Sequence, residues 1–210
     1  YSRETLEQIA AVLKDAEKEY GHPIYIITDE PYRELVYVDK EFVFIPDLYD
    51  NTIIAYSWSK SLSIPGDRLG YLAVSPKSDN VEEFMAAATV ANRISGDTNA
   101  PSMVQLAVER CMDAQVDVPY YKKNAGELYK SFKNAGFTAI VPQGAFYLWV
   151  KSPVADEKEL VAAAKEERIL MVPGSAFACP GYIRLSFCIA NETIRRSAES
   201  FAKLGKKFFG

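Results

Sequence analysis

The feature that most constrains the fold is a short, uninterrupted apolar run, Ile24-Tyr25-Ile26-Ile27, which follows a helical pattern and a Gly-His-Pro break. A run of this length without polar alternation is typical of a strand that is buried on both faces of a parallel sheet. Thr52–Tyr56 has the same character, and Leu69–Val74 predicts a third strand. With the helix predicted from Ser2 to about Tyr20, these runs indicate an α/β fold.

Polar residues follow the first two predicted strands directly. Asp29 and Tyr32 come after the first strand, and the segment around Lys60 comes after the second. In open α/β sheets, ligands bind beyond the carboxyl ends of the strands. If the two strands are neighbours, the sequence therefore predicts that Asp29, Tyr32 and Lys60 face one ligand site.

The segment from Ser57 to Arg68 carries the chemistry of this predicted site. Lys60 stands between the hydroxyls of Ser59 and Ser61, and Arg68 follows across a Pro-Gly turn. A lysine amine condenses with an aldehyde, and a planar guanidinium binds a phosphate with two parallel hydrogen bonds. The pattern suits an aldehyde cofactor that carries a phosphate, although a polar surface loop is the alternative for such a short motif.

The pattern changes near Val118, and this change divides the chain into a predicted first domain, residues 1–117, and a second, residues 118–210. The second half predicts an α+β unit apart from the parallel sheet. Beyond the third strand, the sequence predicts helices at 80–93, 100–114, 118–135, 156–168 and 192–209, a hairpin of strands Phe137–Val141 and Phe146–Val150 turning at 142–145, and strands Ile169–Val172 and Tyr182–Cys188.

Composition excludes several classes of function. The chain has 210 residues and a formal charge of −4, which offers no basic field for nucleic acid. No apolar run approaches the ~20 residues that span a bilayer. Three cysteines without C-x-x-C spacing fit reduced thiols in the cytoplasm, and a single histidine argues against a histidine metal site or a Ser-His-Asp triad.

Six segments, taken in order, resemble the fold-type I pyridoxal-phosphate enzymes, in particular the aspartate-type aminotransferases of class I and II. The resemblance implies part of a cofactor-binding large domain with a mostly parallel sheet, followed by a small carboxy-terminal α+β domain. The segments are Thr28–Tyr32, Ser57–Lys60, Pro65–Gly70, Gly144–Trp149, Val172–Phe177 and Tyr182–Phe187.

The resemblance also implies a role for each residue of the predicted site. Lys60 is expected to bind pyridoxal 5′-phosphate covalently and to move the α-proton, which requires an amine with a lowered pKa. Asp29 is expected to hold the pyridine nitrogen protonated, so that the ring accepts electrons. Tyr32 is expected to donate a hydrogen bond to the phenolate oxygen of the ring.

The resemblance also implies partners for the cofactor phosphate and for the substrate α-carboxylate. Ser57 and Arg68 are expected to bind the phosphate, with Ser59 as a weaker candidate. Arg184 matches the position that grips the substrate α-carboxylate, and an arginine inside an apolar strand needs an anionic partner in any case. The loop Pro173–Phe177 is expected to close near the substrate, and Arg93 and Asn99 are on a segment that approaches the other subunit's site in relatives.

The family's first half, which holds further phosphate- and ring-binding groups, has no counterpart in this sequence. We therefore expect the 210-residue chain to be a carboxy-terminal portion that is inactive alone, and its first domain to expose apolar edges that favour oligomerisation. The resemblance implies a cytoplasmic homodimer that moves an amino group between an amino acid and a 2-oxo acid. Which amino acid it uses does not follow from the sequence.

Three alternatives to this transamination stay open at this stage. A related C–S lyase would release ammonia and pyruvate with the same cofactor and the same lysine. An effector-sensing domain of a transcription regulator would keep the cofactor for recognition only. A folded remnant without any cofactor would follow from the missing first half.

Overall fold

The computed structural model describes residues 1–40, 42–96 and 98–210, which form two compact units. The first unit comprises Tyr1–Glu34 and Lys40–Val116, and the second comprises Leu35–Asp39 and Asp117–Gly210. The short segment Leu35–Asp39 joins the second unit through backbone hydrogen bonds, for example from Tyr37 N to Gln143 O at 2.9 Å.

A three-stranded sheet organises the first unit, with β1 parallel to β2 and β3 antiparallel to β2. The predicted α/β class is confirmed, and the first two strands are neighbours. The strands are β1 (Ile26–Asp29), β2 (Thr52–Ser57) and β3 (Gly70–Val74); the helices are α1 (Arg3–Tyr20), α2 (Trp58–Ser61), α3 (Val81–Ile94) and α4 (Ser102–Glu109).

Helix α1 begins and ends at residues that suit those positions. The Ser2 hydroxyl accepts a hydrogen bond from Thr5 N at 3.2 Å, which satisfies one of the donors left free at a helix start. Gly21 adopts a left-handed φ of 70°, which costs a glycine little and ends the helix. The predicted helix over this segment is confirmed.

The prediction that the first strand is buried on both faces is wrong. Strand β1 starts two residues later than the apolar run, and Ile27 is 70% exposed. Leu72 on β3 is also more than half exposed, so one face of this small sheet lacks the cover that burial requires. The expected exposure of apolar surface is therefore observed, and it extends to α3 and α4 at Val90, Ile94, Met103 and Leu106.

An antiparallel sheet in the order β4-β6-β5 organises the second unit. Side chains alternate between its faces: Leu148, Val150, Ile183 and Leu185 are buried, and their neighbours along the strands are half-buried or exposed. The elements are β4 (Tyr147–Lys151), β5 (Val172–Pro173), β6 (Tyr182–Ser186), α5 (Val118–Asn134), α6 (Glu157–Glu166) and α7 (Asn191–Phe209).

A cluster of phenylalanines forms the centre of the second unit, where α5 packs against α7. Phe132 is fully buried, with its ring centroid 4.3 Å from that of Phe201 and 5.4 Å from that of Phe137. Burying each of these rings contributes about 1.5–3 kcal/mol before conformational entropy is counted. This core forms without any residue of the predicted ligand site.

The predicted hairpin around residues 142–145 forms only in part. Phe137–Val141 does not form a regular strand, and its pairing with β4 is a single bridge between Ala139 and Val150. Two backbone hydrogen bonds flank that bridge, and Pro142, which has no N–H to donate, follows directly. The regular ladder of strand β4 is formed with the distant strand β6.

Two further kinds of feature are absent from the described residues. No helix among them has both the length and the apolar composition needed to cross a bilayer. They also contain no group of three or more His, Cys, Asp or Glu side chains arranged to hold a metal ion.

Gly70 provides a test of the packing between β2 and β3. A Cβ at this position would lie 2.5 Å from Tyr56 O, whereas a Cβ at Gly66 would meet nothing within 4 Å. We expect Gly70→Ala to lower the free energy of unfolding of the first unit by about 1–3 kcal/mol, because a backbone carbonyl cannot yield easily. Trp58 fluorescence during urea denaturation, in a Trp149→Phe background, reports on this unit.

Gly66→Ala is the matched control, and we expect it to stay within about 0.5 kcal/mol of the parent. Equal unfolding midpoints for the two variants would contradict the close approach of β3 to β2.

Candidate active site

The sheet of the first unit brings three predicted site segments to one edge. Asp29 is the last residue of β1 and pairs with Ala55 on the parallel strand β2. Ser57 ends β2 and pairs with Gly70, the first residue of the antiparallel strand β3. Because adjacent strands are about 4.8 Å apart, Asp29, the turn after Ser57 and the segment before Gly70 share this edge.

The turn that carries Lys60 is a single helical turn, α2, directly after β2. The Ser57 hydroxyl donates a hydrogen bond to the Ser59 hydroxyl at 3.1 Å. The ammonium nitrogen of Lys60 lies 5.7 Å from the centroid of the Tyr32 ring. The structure therefore brings together two residues that the sequence assigned to one site, the amine and the phenol.

Tyr56 supports the turn that carries Lys60, a role that the sequence did not reveal. Its hydroxyl donates to Glu34 Oε1 at 2.8 Å and lies 2.8 Å from the Ser61 hydroxyl, next to Lys60. Burial of the ring raises the pKa of Tyr56, so the hydroxyl stays protonated and able to donate. Tyr56 thus ties the lysine-bearing turn to the segment that follows Asp29.

Arg33 completes this network. Its guanidinium lies over the Tyr56 ring, 4.1 Å from the centroid, and its Nε donates to Glu34 Oε1 at 3.0 Å. Glu30, which is buried, has one carboxylate oxygen 3.7 Å from Arg33 Nη1. The only sequence signal for these residues is their place directly after Asp29.

Arg68 lies in an unusual backbone conformation. Its φ of 54° and ψ of 44° are left-handed, which costs a non-glycine residue roughly 1–2 kcal/mol. Its side chain is exposed, and Nη1 donates to Pro65 O at 2.9 Å. Strained residues cluster at ligand sites, so this conformation is consistent with the predicted phosphate contact.

A cavity of about 610 Å³ opens beside the edge of the sheet. Asp29, Ser57, Arg93 and Asn99 are among the residues that line it, all within the first unit. The Asp29 carboxylate has no hydrogen-bond or ion-pair partner in residues 1–40, 42–96 and 98–210. Lys60 is not part of the cavity lining, although its turn begins at Ser57.

The second unit holds the remaining predicted residue, Arg184, on β6. Its guanidinium carbon is 3.6 Å from the Phe177 ring centroid and 4.1 Å from the Tyr147 ring centroid. Within the described part of the chain, no carboxylate or carbonyl accepts a hydrogen bond from this guanidinium. Two aromatic contacts stabilise the half-buried cation while its N–H donors remain open to an anion.

The loop beside Arg184 is anchored by Glu157, which sequence reasoning also missed. Pro173 is followed by a turn of 3-10 helix, Gly174–Phe177. Glu157 Oε1 accepts from Ser175 N at 3.1 Å, and Oε2 accepts from Gly181 N at 3.2 Å. Hydrogen bonds from Ser175 and then from Gly181 lower the pKa of Glu157 to about 2.

Comparison with known proteins gives a consistent result. Residues 1–201 match the family model for aminotransferase class I and II. The aspartate aminotransferase of Thermotoga maritima is 32% identical over 206 residues, 95% of this chain and 50% of that protein. The aspartate/prephenate aminotransferase of Thermus thermophilus is 29% identical over 97% of this chain and 52% of that protein.

A solved aminotransferase structure has a fold that closely matches that of this chain. The crystal structure of an aminotransferase from Eubacterium rectale has a TM-score of 0.94 and 40% identity, covering all of this chain and 53% of that one. The chain therefore spans about half the length of the relatives it matches.

The Tyr56 network predicts a measurable loss of stability. Tyr56→Phe removes the hydroxyl shared with Glu34 and Ser61, and the buried Ser61 hydroxyl loses a partner. We expect the first unit to lose about 1–2 kcal/mol of unfolding free energy, measured by urea denaturation. Tyr20→Phe is the control, because the Tyr20 ring is 63% exposed. Equal losses in both variants would argue against the network.

Glu157 predicts an acid-dependent stability of the second unit. Because its folded pKa of about 2 is below the ordinary 4.5, the carboxylate stabilises the fold above about pH 4.5, and this contribution is lost as pH falls towards 2. The stability gap between the parent and Glu157→Gln should therefore shrink over that window. Trp149 fluorescence in a Trp58→Phe background, with urea titrations from pH 7 to 2, measures it.

Glu159→Gln, an exposed change on the same helix, is the control. A gap between the parent and Glu157→Gln that stays constant from pH 7 to 2 would contradict the assignment.

Proposed function

Because the chain belongs to the class I and II aminotransferase family, we propose that it carries the lysine-bearing part of a pyridoxal-phosphate-dependent aminotransferase. The proposed reaction moves an amino group between an amino acid and a 2-oxo acid. The observation that supports it best is the shared edge of β1, β2 and β3, where Asp29, the Lys60 turn and the Arg68 segment meet.

The residues at this edge fit pyridoxal phosphate by their chemistry. Asp29 offers a carboxylate without a partner among the described residues, beside a cavity of about 610 Å³. Ser57, Ser59 and Arg68 offer two hydroxyls and a guanidinium for a phosphate. When bound, the cofactor supplies an electron-accepting ring that stabilises negative charge on the substrate Cα.

The chain's own groups have distinct tasks in this proposal. Lys60 would hold the cofactor through its amine, and that amine, once the substrate's own amine has displaced it, would take the proton from the substrate Cα. Asp29 keeps a proton on the ring nitrogen, because a carboxylate favours a neighbouring positive charge. Tyr32, whose ring lies near the Lys60 amine, donates to the phenolate oxygen.

Arg184 binds the substrate α-carboxylate in this proposal. Its guanidinium has no acceptor in the described part of the chain, and a planar guanidinium meets a carboxylate with two parallel hydrogen bonds. Such a bidentate contact fixes the orientation of the bound α-carboxylate.

The state of the protein is part of the same proposal. Since the chain spans about half the length of its relatives, we expect it to be inactive alone. The exposed apolar side chains of the first unit favour assembly, and a homodimer is the assembly that the resemblance implies. All three cysteines are free thiols, which is consistent with the cytoplasm.

Borohydride reduction tests the cofactor assignment. With pyridoxal phosphate added, reduction should fix the cofactor on the peptide that contains Lys60, and mass spectrometry of a digest should locate it. Lys60→Ala should lose the label, whereas Lys77→Ala, a change at an exposed loop lysine, should keep it. Equal labelling of the parent and Lys60→Ala would overturn the assignment. With the complete enzyme, release of ammonia instead of amino transfer would assign a lyase.

A further inference from the structure

The guanidinium of Arg184 depends on a loop for one of its two aromatic contacts. Tyr147 lies on β4, a regular strand paired with β6, so its position is fixed by the sheet. Phe177 lies instead at the end of the 3-10 turn in the 174–181 loop and is 40% exposed. Its ring contacts Trp149, at a centroid distance of 6.0 Å, and Arg184. The backbone of the loop therefore decides where Phe177 lies.

The 174–181 loop is closed on itself and leaves little room for adjustment. Cys179 N donates to Gly174 O at 2.9 Å, and a Cβ at Gly174 would lie 2.0 Å from Cys179 O. Ala178 and Gly181 adopt positive φ values of 53° and 81°. A non-glycine residue such as Ala178 keeps a left-handed conformation only where surrounding contacts hold the backbone in place.

Glu157 provides such contacts. It is 5% exposed, it starts α6, and its two oxygens bind separate ends of the loop, at Ser175 N and Gly181 N. A glutamine at this position offers one acceptor oxygen, and its NH₂ group would face the second N–H. The two-oxygen contact is thus specific to a carboxylate.

We propose that Glu157 is a positioning residue for the carboxylate site: through the 174–181 loop it holds Phe177 against Arg184 and so fixes the direction of the Arg184 donors. A guanidinium stacked on a ring keeps its plane, and its N–H groups then point outward along that plane. A planar carboxylate needs this orientation for two parallel hydrogen bonds. The inference rests on the proposed role of Arg184 and adds the residues that orient it.

The experiment is a double-mutant cycle on the full chain, with propionate as the carboxylate probe and no cofactor. The first readout is the NMR signal of Arg184 Nε–Hε, which the ring of Phe177 shifts. In Glu157→Gln the signal should move towards that of an exposed arginine such as Arg196. The second readout is the Kd for propionate, which should rise about three- to tenfold in Glu157→Gln and in Phe177→Leu.

The double-mutant cycle shows whether Glu157 and Phe177 affect propionate binding through the same contact or independently. Because Glu157 acts through Phe177, the variant with both changes should bind propionate no more weakly than Phe177→Leu alone. Additive losses would overturn the inference, and so would an unchanged Arg184 signal in Glu157→Gln. Glu159→Gln should match the parent in both readouts.

Arg184→Gln separates failure of the inference from failure of the proposed function. If Arg184→Gln and the parent have the same Kd for propionate, the proposed role of Arg184 is overturned, and the inference about Glu157 is overturned with it. If Arg184→Gln loses binding while Glu157→Gln keeps the parent's signal and Kd, only the inference is overturned. If circular dichroism shows that Glu157→Gln does not fold, Glu157→Asp takes its place, because it draws the carboxylate back by one methylene. The Arg184 signal and the Kd for propionate are then judged in the same way.

Discussion

The parallel pairing of β1 with β2 is the interaction on which the candidate site depends. It aligns Asp29 with Ala55, so the end of one strand meets the turn that carries Lys60 at the end of the other. A slip of one residue in this register would turn Asp29 to the opposite face of the sheet, because side chains alternate with a period of two. Tyr56, whose hydroxyl contacts the segments after both strands, reinforces the same alignment.

In the second unit, the guanidinium of Arg184 is half-buried although the described residues offer it no counter-ion. Arg184 occupies the face of the antiparallel sheet opposite the buried Ile183 and Leu185, and it lies against Phe177 and Tyr147. Aromatic rings stabilise a cation without occupying its hydrogen-bond donors. The donors therefore remain available, and only the geometry of the 174–181 loop has to be maintained.

Sequence reasoning succeeded where local pattern and chemistry agree. The helix over Ser2–Tyr20 and the strands that end before the Asp29 and Lys60 segments follow from periodicity and turn residues. It failed at Ile27, because an apolar run indicates burial but cannot show which face has cover. It was only partly right at Phe137–Val141, because this segment forms a single bridge with β4 and the regular partner of β4 is β6, more than thirty residues beyond in the chain.

The amino-acid sequence by itself determined the class of the fold and the residue types of the site, since short apolar runs, a Pro-Gly turn and a lysine flanked by hydroxyls are local features. Only the tertiary structure decided that Leu35–Asp39 joins the second unit, that Tyr56 supports the lysine turn, and that the Glu157 carboxylate anchors a loop near Arg184. These contacts join residues distant in the chain, and their partners are selected by packing and by the need to satisfy buried polar groups. No local pattern encodes that selection.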